Sequence, residues 1–265
     1  GGVDPEPEPG DHFGFFETPQ RAKQIANTQF VVHNVPSNSS QNIRFDANGN
    51  PQRNYTLLYD TKYKIAYWVA YPHHENYIGS TKRTNAWGYD PIVKVSDQVN
   101  IKGGAYKEKY SRGHQIASGD RTADKPLNRA TFYSTNLTPQ LQDGLNGGIW
   151  ANLEIKVRDY VTSHKDTVWV VTGAGLPENT NEIKYAHSKD NEPIAIPTYY
   201  YKALAKKVDG KYYTIGFKME HKAYTGSFNQ CRITVKELED LTGFVFFDAI
   251  PKEDKEVINS TQWPL

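Results

Sequence analysis

The sequence predicts a mixed α and β chain folded as one large domain, and three observations carry that prediction. Apolar and polar residues alternate in several short segments rich in Tyr, Val and Ile, the period of half-buried strands. Other stretches repeat apolar residues at three- and four-residue spacing, the stripe of a helix that buries one face. The 265 residues suffice to bury a sizeable core, and no interior linker divides them.

The elements follow in chain order. Residues 1–29 begin Gly1-Gly2-Val3-Asp4-Pro5-Glu6-Pro7-Glu8-Pro9-Gly10, an acidic Pro-rich tether that cannot form a core. Ordered structure is expected from near Phe30, which makes residues 30–265 the single domain. Such a spacer suits a removed export signal or a lipid anchor upstream, and so predicts an exported protein that is periplasmic, secreted or tethered to the membrane as a cell-surface lipoprotein. Tyr55 to Tyr59 and Tyr63 to Tyr71 form a strand pair around Asp60-Thr61, with Tyr63, Ile65, Tyr67, Val69 and Tyr71 alternating. His114 falls just after the next strand. Ile149, Trp150, Leu153 and Val157 make the apolar stripe of a helix. Asn146 and Glu154 lie along its margin, roughly 12 Å apart at ~1.5 Å per residue. Thr167 to Thr172 is a continuous apolar run suited to a buried central strand. Ile196 to Lys206 and Lys211 to Lys218 flank Asp209-Gly210, a hairpin signal. Val235 to Thr242 predicts a short helix ended by Gly243, and Phe244 to Phe247 a following strand.

Composition narrows the function. Cys231 is the single cysteine, which excludes an intramolecular disulfide framework and a cysteine-rich zinc site. The 18 tyrosines fall mostly in strand-like segments, where half-buried packing is their ordinary role. No segment approaches the roughly 20 apolar residues that span a bilayer. The net charge is only +1, yet residues 62–130 hold 12 Lys and Arg against 6 Asp and Glu, whereas residues 1–20 hold five acids and no Lys or Arg. A basic stretch without a base-reading motif fits sequence-independent contact with phosphates.

That basic stretch contains Tyr110-Ser111-Arg112-Gly113-His114-Gln115-Ile116-Ala117. It is followed by Thr135-Asn136-Leu137-Thr138-Pro139-Gln140 and by Leu145-Asn146-Gly147-Gly148-Ile149-Trp150-Ala151-Asn152-Leu153-Glu154. The pattern resembles the catalytic core of the DNA/RNA non-specific endonucleases, the ββα-metal nucleases that include endonuclease G. Their hallmark is Asp-Arg-Gly-His followed by an Asn-bearing helix; here Ser111 stands at the first position. The resemblance covers approximately Thr56 to Asp248. It implies an α+β fold with a central, mainly antiparallel sheet flanked by helices and a ββα-metal motif.

Phosphodiester cleavage explains these residue types. The attacking water must lose a proton near neutral pH, and histidine, with an ordinary pKa of about 6.5, is largely neutral there, so His114 is the candidate general base. Negative charge growing on the phosphoryl oxygens needs preorganised cations, for which Arg112, Arg83 and Mg²⁺ are the candidates. Mn²⁺ or another divalent ion could substitute. Mg²⁺ keeps most of its water and takes few protein oxygens, so a single amide from Asn146 makes a sensible ligand. Glu154 can order metal-bound water and pair with Arg158 one turn on.

Plainer readings stand beside these. Asn146 could cap its helix, Glu154 and Arg158 could be a surface ion pair, and Arg112 could hold a carboxylate. Asn136 could form a turn or, in a glycosylating host, match an acceptor sequence; the resemblance makes it a residue that organises the site, as it does Ser111. The resemblance implies in-line hydrolysis of DNA, RNA or both to 5′-phosphate products. Two other classes stay open. Ser111 in place of Asp leaves room for a catalytically weak nucleic-acid-binding module, and the tyrosines and tether for a secreted carbohydrate-binding protein.

Overall fold

The computed structural model describes residues 14–21 and 24–265. Its principal strands are β1 (Thr28–Asn34), β2 (Arg53–Asp60), β3 (Ile65–His73), β4 (Ser111–His114), β5 (Leu137–Gln140), β6 (Val168–Gly175), β7 (Tyr199–Val208), β8 (Lys211–Glu220) and β9 (Arg232–Ile233). Two helices matter to the argument, α1 (Trp150–His164) and α2 (Val235–Thr242). Seven strands form one antiparallel sheet in the order β9-β8-β7-β6-β3-β2-β1, and β4 and β5 form a separate two-stranded ladder. This is the α+β architecture expected.

Strand periodicity decides what each face of the sheet carries. Leu57, Val69, Val170 and Leu204 point to one face, where Trp150, Leu153 and Val157 of α1 cover them. Trp68, Val171, Tyr201 and Ala203 point to the other, where Val235 and Leu238 of α2 pack. The continuous apolar run lies on β6, fourth of the seven strands, so both its faces are buried. Tyr55, Tyr59, Tyr71, Tyr200 and Tyr201 are all buried in these layers, in keeping with a packing role.

The hairpin and the helix stop fall where expected. Asp209 (φ 49°) and Gly210 (φ 79°) join β7 to β8 with two left-handed residues, the geometry that matches strand twist. The first strand of that hairpin starts at Tyr199 instead of Ile196. The strand expected over Phe244 to Phe247 is only Phe244–Val245, and it pairs with Gln20–Arg21. That pairing shows order upstream of Phe30, because residues 14–21 are seated on the domain. Phe16 packs 4.4 Å from Trp169, and Glu17, fully buried, accepts two hydrogen bonds from Arg53 at 2.5 and 2.8 Å. Residues 1–13 and 22–23 of the tether lie outside the described residues. Among those described, no helix is long and apolar enough to cross a membrane.

Candidate active site

The ladder β4–β5 pairs Ser111 with Gln140, Arg112 with Pro139, Gly113 with Thr138 and His114 with Leu137. His114 is therefore the last residue of its strand, not one beyond it. Gly113 is required by close approach, since a Cβ there would lie 2.2 Å from Gln140 Oε1. The His114 ring is 8% exposed and stands edge-on to Phe132 at 4.8 Å and Trp87 at 5.5 Å. Its Nε2 is buried and has no protein partner. Burial, with the nearby Arg83 and Arg112 charges, pushes the ring down to about 3, against the Arg112 backbone, which favours its protonated form. The ring is thus neutral at pH 7, with its Nε2 free of any protein hydrogen bond.

Both candidate arginines share this aromatic corner. The Arg112 guanidinium lies 3.7 Å from the Trp87 ring centre and donates to the Ile101 carbonyl at 2.8 Å, so it holds a backbone oxygen and not a carboxylate. Arg83, exposed, sits 4.9 Å from the Phe132 ring and donates to Asn85 Oδ1 at 2.8 Å. Burial lowers both guanidinium pKa values; Glu154 counteracts this at Arg83.

Asn146 departs from the geometry expected of it. It does not share a regular helix with Glu154, because Asp143, Gly144 and Gly148 leave helical angles and α1 starts only at Trp150. Glycines at 144, 147 and 148 allow this irregular turn, so straight-helix spacing does not apply. Nor is Asn146 a cap, since the N-cap position of α1 is Ile149. The Asn146 Nδ2 donates to Gln142 Oε1 at 2.9 Å, and the Ser111 hydroxyl donates to the same oxygen at 2.8 Å. Gln142 thereby ties the histidine strand to the amide loop.

The α1 side carries the charges. Burial raises the Glu154 pKa, and the Lys202 ammonium is the main influence pulling it back. Arg158 does not pair with Glu154 as expected; its Nε donates to Asp120 Oδ1 at 2.9 Å. Asp120 is buried, which by itself raises its pKa, but His73, Arg158 and a 2.7 Å hydrogen bond from Tyr71 hold it far below the usual carboxylate range. The better-buried carboxylate claims the guanidinium. Asn136 is fully buried: it accepts from Ile116 N at 3.0 Å and donates to the Thr131 and Ile116 carbonyls at 2.9 and 3.1 Å. It cannot serve as a glycosylation acceptor and instead fixes the chain on both sides of the ladder.

Three residues escaped sequence reasoning. Lys202 on β7 is 2% exposed, 4.1 Å from the Trp150 ring and 3.3 Å from Thr172 Oγ1, with burial lowering its pKa and Glu154 and Asp120 raising it. A lysine in a buried strand position was the available signal. Gln140 is 1% exposed with neither amide atom partnered, a costly state for a buried polar group. Gln142 gave no signal beyond its place in the loop.

The donor set fits a hard divalent ion. Among the described residues no three His, Cys, Asp or Glu side chains cluster to cage a metal. The loop offers the Asn146 amide, α1 the Glu154 carboxylate and the end of β5 the unpartnered amide of Gln140, all oxygen donors of the kind a largely hydrated ion accepts.

A histidine-bearing two-stranded ladder followed by this helix is the ββα arrangement, and the comparisons agree. The family model described as DNA/RNA non-specific endonuclease matches residues 29–253, and the chain belongs to that family, one of metal-dependent nucleases. The nuclease of Serratia marcescens is 29% identical over 218 residues, covering 78% of this chain and 77% of its own. The mitochondrial nuclease EXOG of Danio rerio is 28% identical over 211 residues, 76% of this chain and 61% of that protein. Nuclease C1 of Cunninghamella echinulata is 31% identical over 147 residues, 53% of this chain and 58% of that one, so the chain spans about three fifths of these last two relatives. The EndoG chain solved with its inhibitor EndoGI shares the fold, with a TM-score of 0.62 at 21% identity, over 76% of this chain and 85% of that one.

Proposed function

We propose that this chain is a divalent-metal-dependent, sequence-non-specific endonuclease that hydrolyses DNA, RNA or both to 5′-phosphate products. The observation that carries the reading is the His114 ring, buried and neutral against Phe132 and Trp87, with Nε2 unpartnered. In this reading Nε2 takes a proton from the attacking water. Arg83 and Arg112, preorganised on Trp87 and Phe132, stabilise charge growing on the phosphoryl oxygens. Asn146 holds the ion, which when bound adds charge stabilisation at the phosphate. Glu154 and the Gln140 amide orient water around it, Ser111 and Gln142 fix the Asn146 side chain, and Asn136 and Arg158 hold the frame. Mg²⁺ is the proposed ion, with Mn²⁺ able to replace it.

Ser111 supports this reading over the weak binding module, because its hydroxyl keeps a hydrogen bond into the Asn146 network. Purified protein should convert supercoiled plasmid, degrade RNA or do both with Mg²⁺, and stop with chelator. Asn146→Ala should raise the Mg²⁺ concentration for half-maximal rate. Binding without cleavage under any divalent ion would establish the binding module instead. Export is part of the proposal, motivated by the acidic Pro-rich segment; fractionation of the native host tests it, and recovery inside the cytoplasm refutes it.

A further inference from the structure

Two segments distant in sequence meet at the loop that carries Gln142 and Asn146. One is residues 141–144, following β5; the other is residues 221–224, following β8. Two hydrogen bonds fix the His221 ring. Its Nδ1 lies 2.6 Å from the Pro197 carbonyl, and its Nε2 lies 2.9 Å from the Leu141 backbone nitrogen. A ring nitrogen that accepts an N–H carries no proton, so Nδ1 donates to Pro197 and the ring is neutral, as its burial also favours. Leu141 passes the restraint on, because its carbonyl accepts the Asn146 backbone N–H at 2.9 Å. A second tie lies beside the first: the Tyr224 N–H donates to the Gly144 carbonyl at 3.0 Å. Gly144 has φ +73°, and a Cβ there would meet Ala223 Cβ at 2.8 Å, so the two backbones are in contact. Tyr200 stands edge-on to His221 at 5.2 Å, and its hydroxyl reaches Thr138 and the Pro139 carbonyl on β5.

We propose that His221 is a positioning residue for the metal-holding loop: by accepting the Leu141 N–H, its imidazole fixes the turn from which Asn146 is presented. The inference rests on Asn146 being the metal amide. The physical need is clear, since Gln142–Ile149 includes three glycines and has much freedom to lose, while a functional group must be held within about 0.5 Å.

The test uses whole protein with His221→Phe, which keeps a ring but no acceptor, and His221→Gln, whose amide oxygen can accept. In metal-free protein, His221→Phe should speed hydrogen exchange at the Leu141 and Asn146 amides about tenfold, leaving β6 and β7 amides unchanged. Mn²⁺ binding, read by electron paramagnetic resonance, should weaken about tenfold, the loss of one hydrogen bond. His221→Gln should recover most of both, and in an Asn146→Ala background His221→Phe should weaken Mn²⁺ binding no further. Unchanged exchange in folded His221→Phe, or an equal loss of Mn²⁺ binding in the Asn146→Ala background, overturns the inference. If Asn146→Ala alone binds Mn²⁺ like wild type, the metal reading fails, while the exchange data still decide whether His221 holds the loop. Should His221→Phe not fold, ¹⁵N shifts of wild type decide: a ring protonated at Nε2 overturns the proposal.

Discussion

Replacing His114 tests chemistry and electrostatics together. His114→Ala removes the proposed base, and the rate should fall by about 10²–10⁴-fold at saturating Mg²⁺. The folded ring sits at about 3 because it is buried between Arg83 and Arg112, whereas an unfolded histidine titrates near its ordinary 6.5. Between those values the unfolded chain binds the extra proton. Stability therefore falls as pH drops below 6.5 and goes on falling to about 3, with no contribution from this ring above 6.5. Integrated from pH 7 to pH 5, the loss is about 2 kcal/mol. Urea unfolding of wild type and His114→Ala at both pH values isolates the term, since the acid-induced loss common to the other groups cancels. Wild type should lose about 2 kcal/mol more than the variant over that interval. An equal loss in both proteins would show that the fold does not hold the ring neutral. A folded variant that cuts plasmid within threefold of wild type would remove His114 from the mechanism.

Lys202→Met removes the cation that most lowers the Glu154 pKa, so the acid limb of the pH–rate profile should move to higher pH; an unmoved limb would show that Glu154 is not felt in the rate. Ser111→Ala deletes the donor to Gln142 Oε1 and should cost about tenfold in rate, less than His114→Ala, whereas Ser111→Asp should stay active; both follow from plasmid cleavage. Gly113→Ala forces Gln140 aside, because the new Cβ would lie 2.6 Å from Gln140 Cβ, and should destabilise by about 1–3 kcal/mol in urea titrations.

What the sequence determined by itself is local. Ser111-Arg112-Gly113-His114 announced its chemistry because a small residue, a cation and an imidazole were adjacent, and the structure places them on one four-residue strand. The α1 stripe, the Asp209-Gly210 turn and the Gly243 stop were legible because periodicity and turn propensity depend on residues a few positions apart. Only tertiary structure decided the partners. Arg158 has Glu154 one turn away, yet Asp120, 38 residues upstream, takes it because the fold buries that carboxylate beside it. Lys202 reaches Trp150 of α1 and Thr172 of β6 because β7 lies next to β6 and faces α1, an adjacency that strand order alone creates. The irregular turn at Asn146 was hidden for a related reason: its glycines permit many paths, and contacts from Ser111, His221 and Tyr224 select one. Short-range pattern fixes an element, but a long or buried polar side chain takes the partner that the packed layers bring nearest, and no local stretch of sequence encodes that distance.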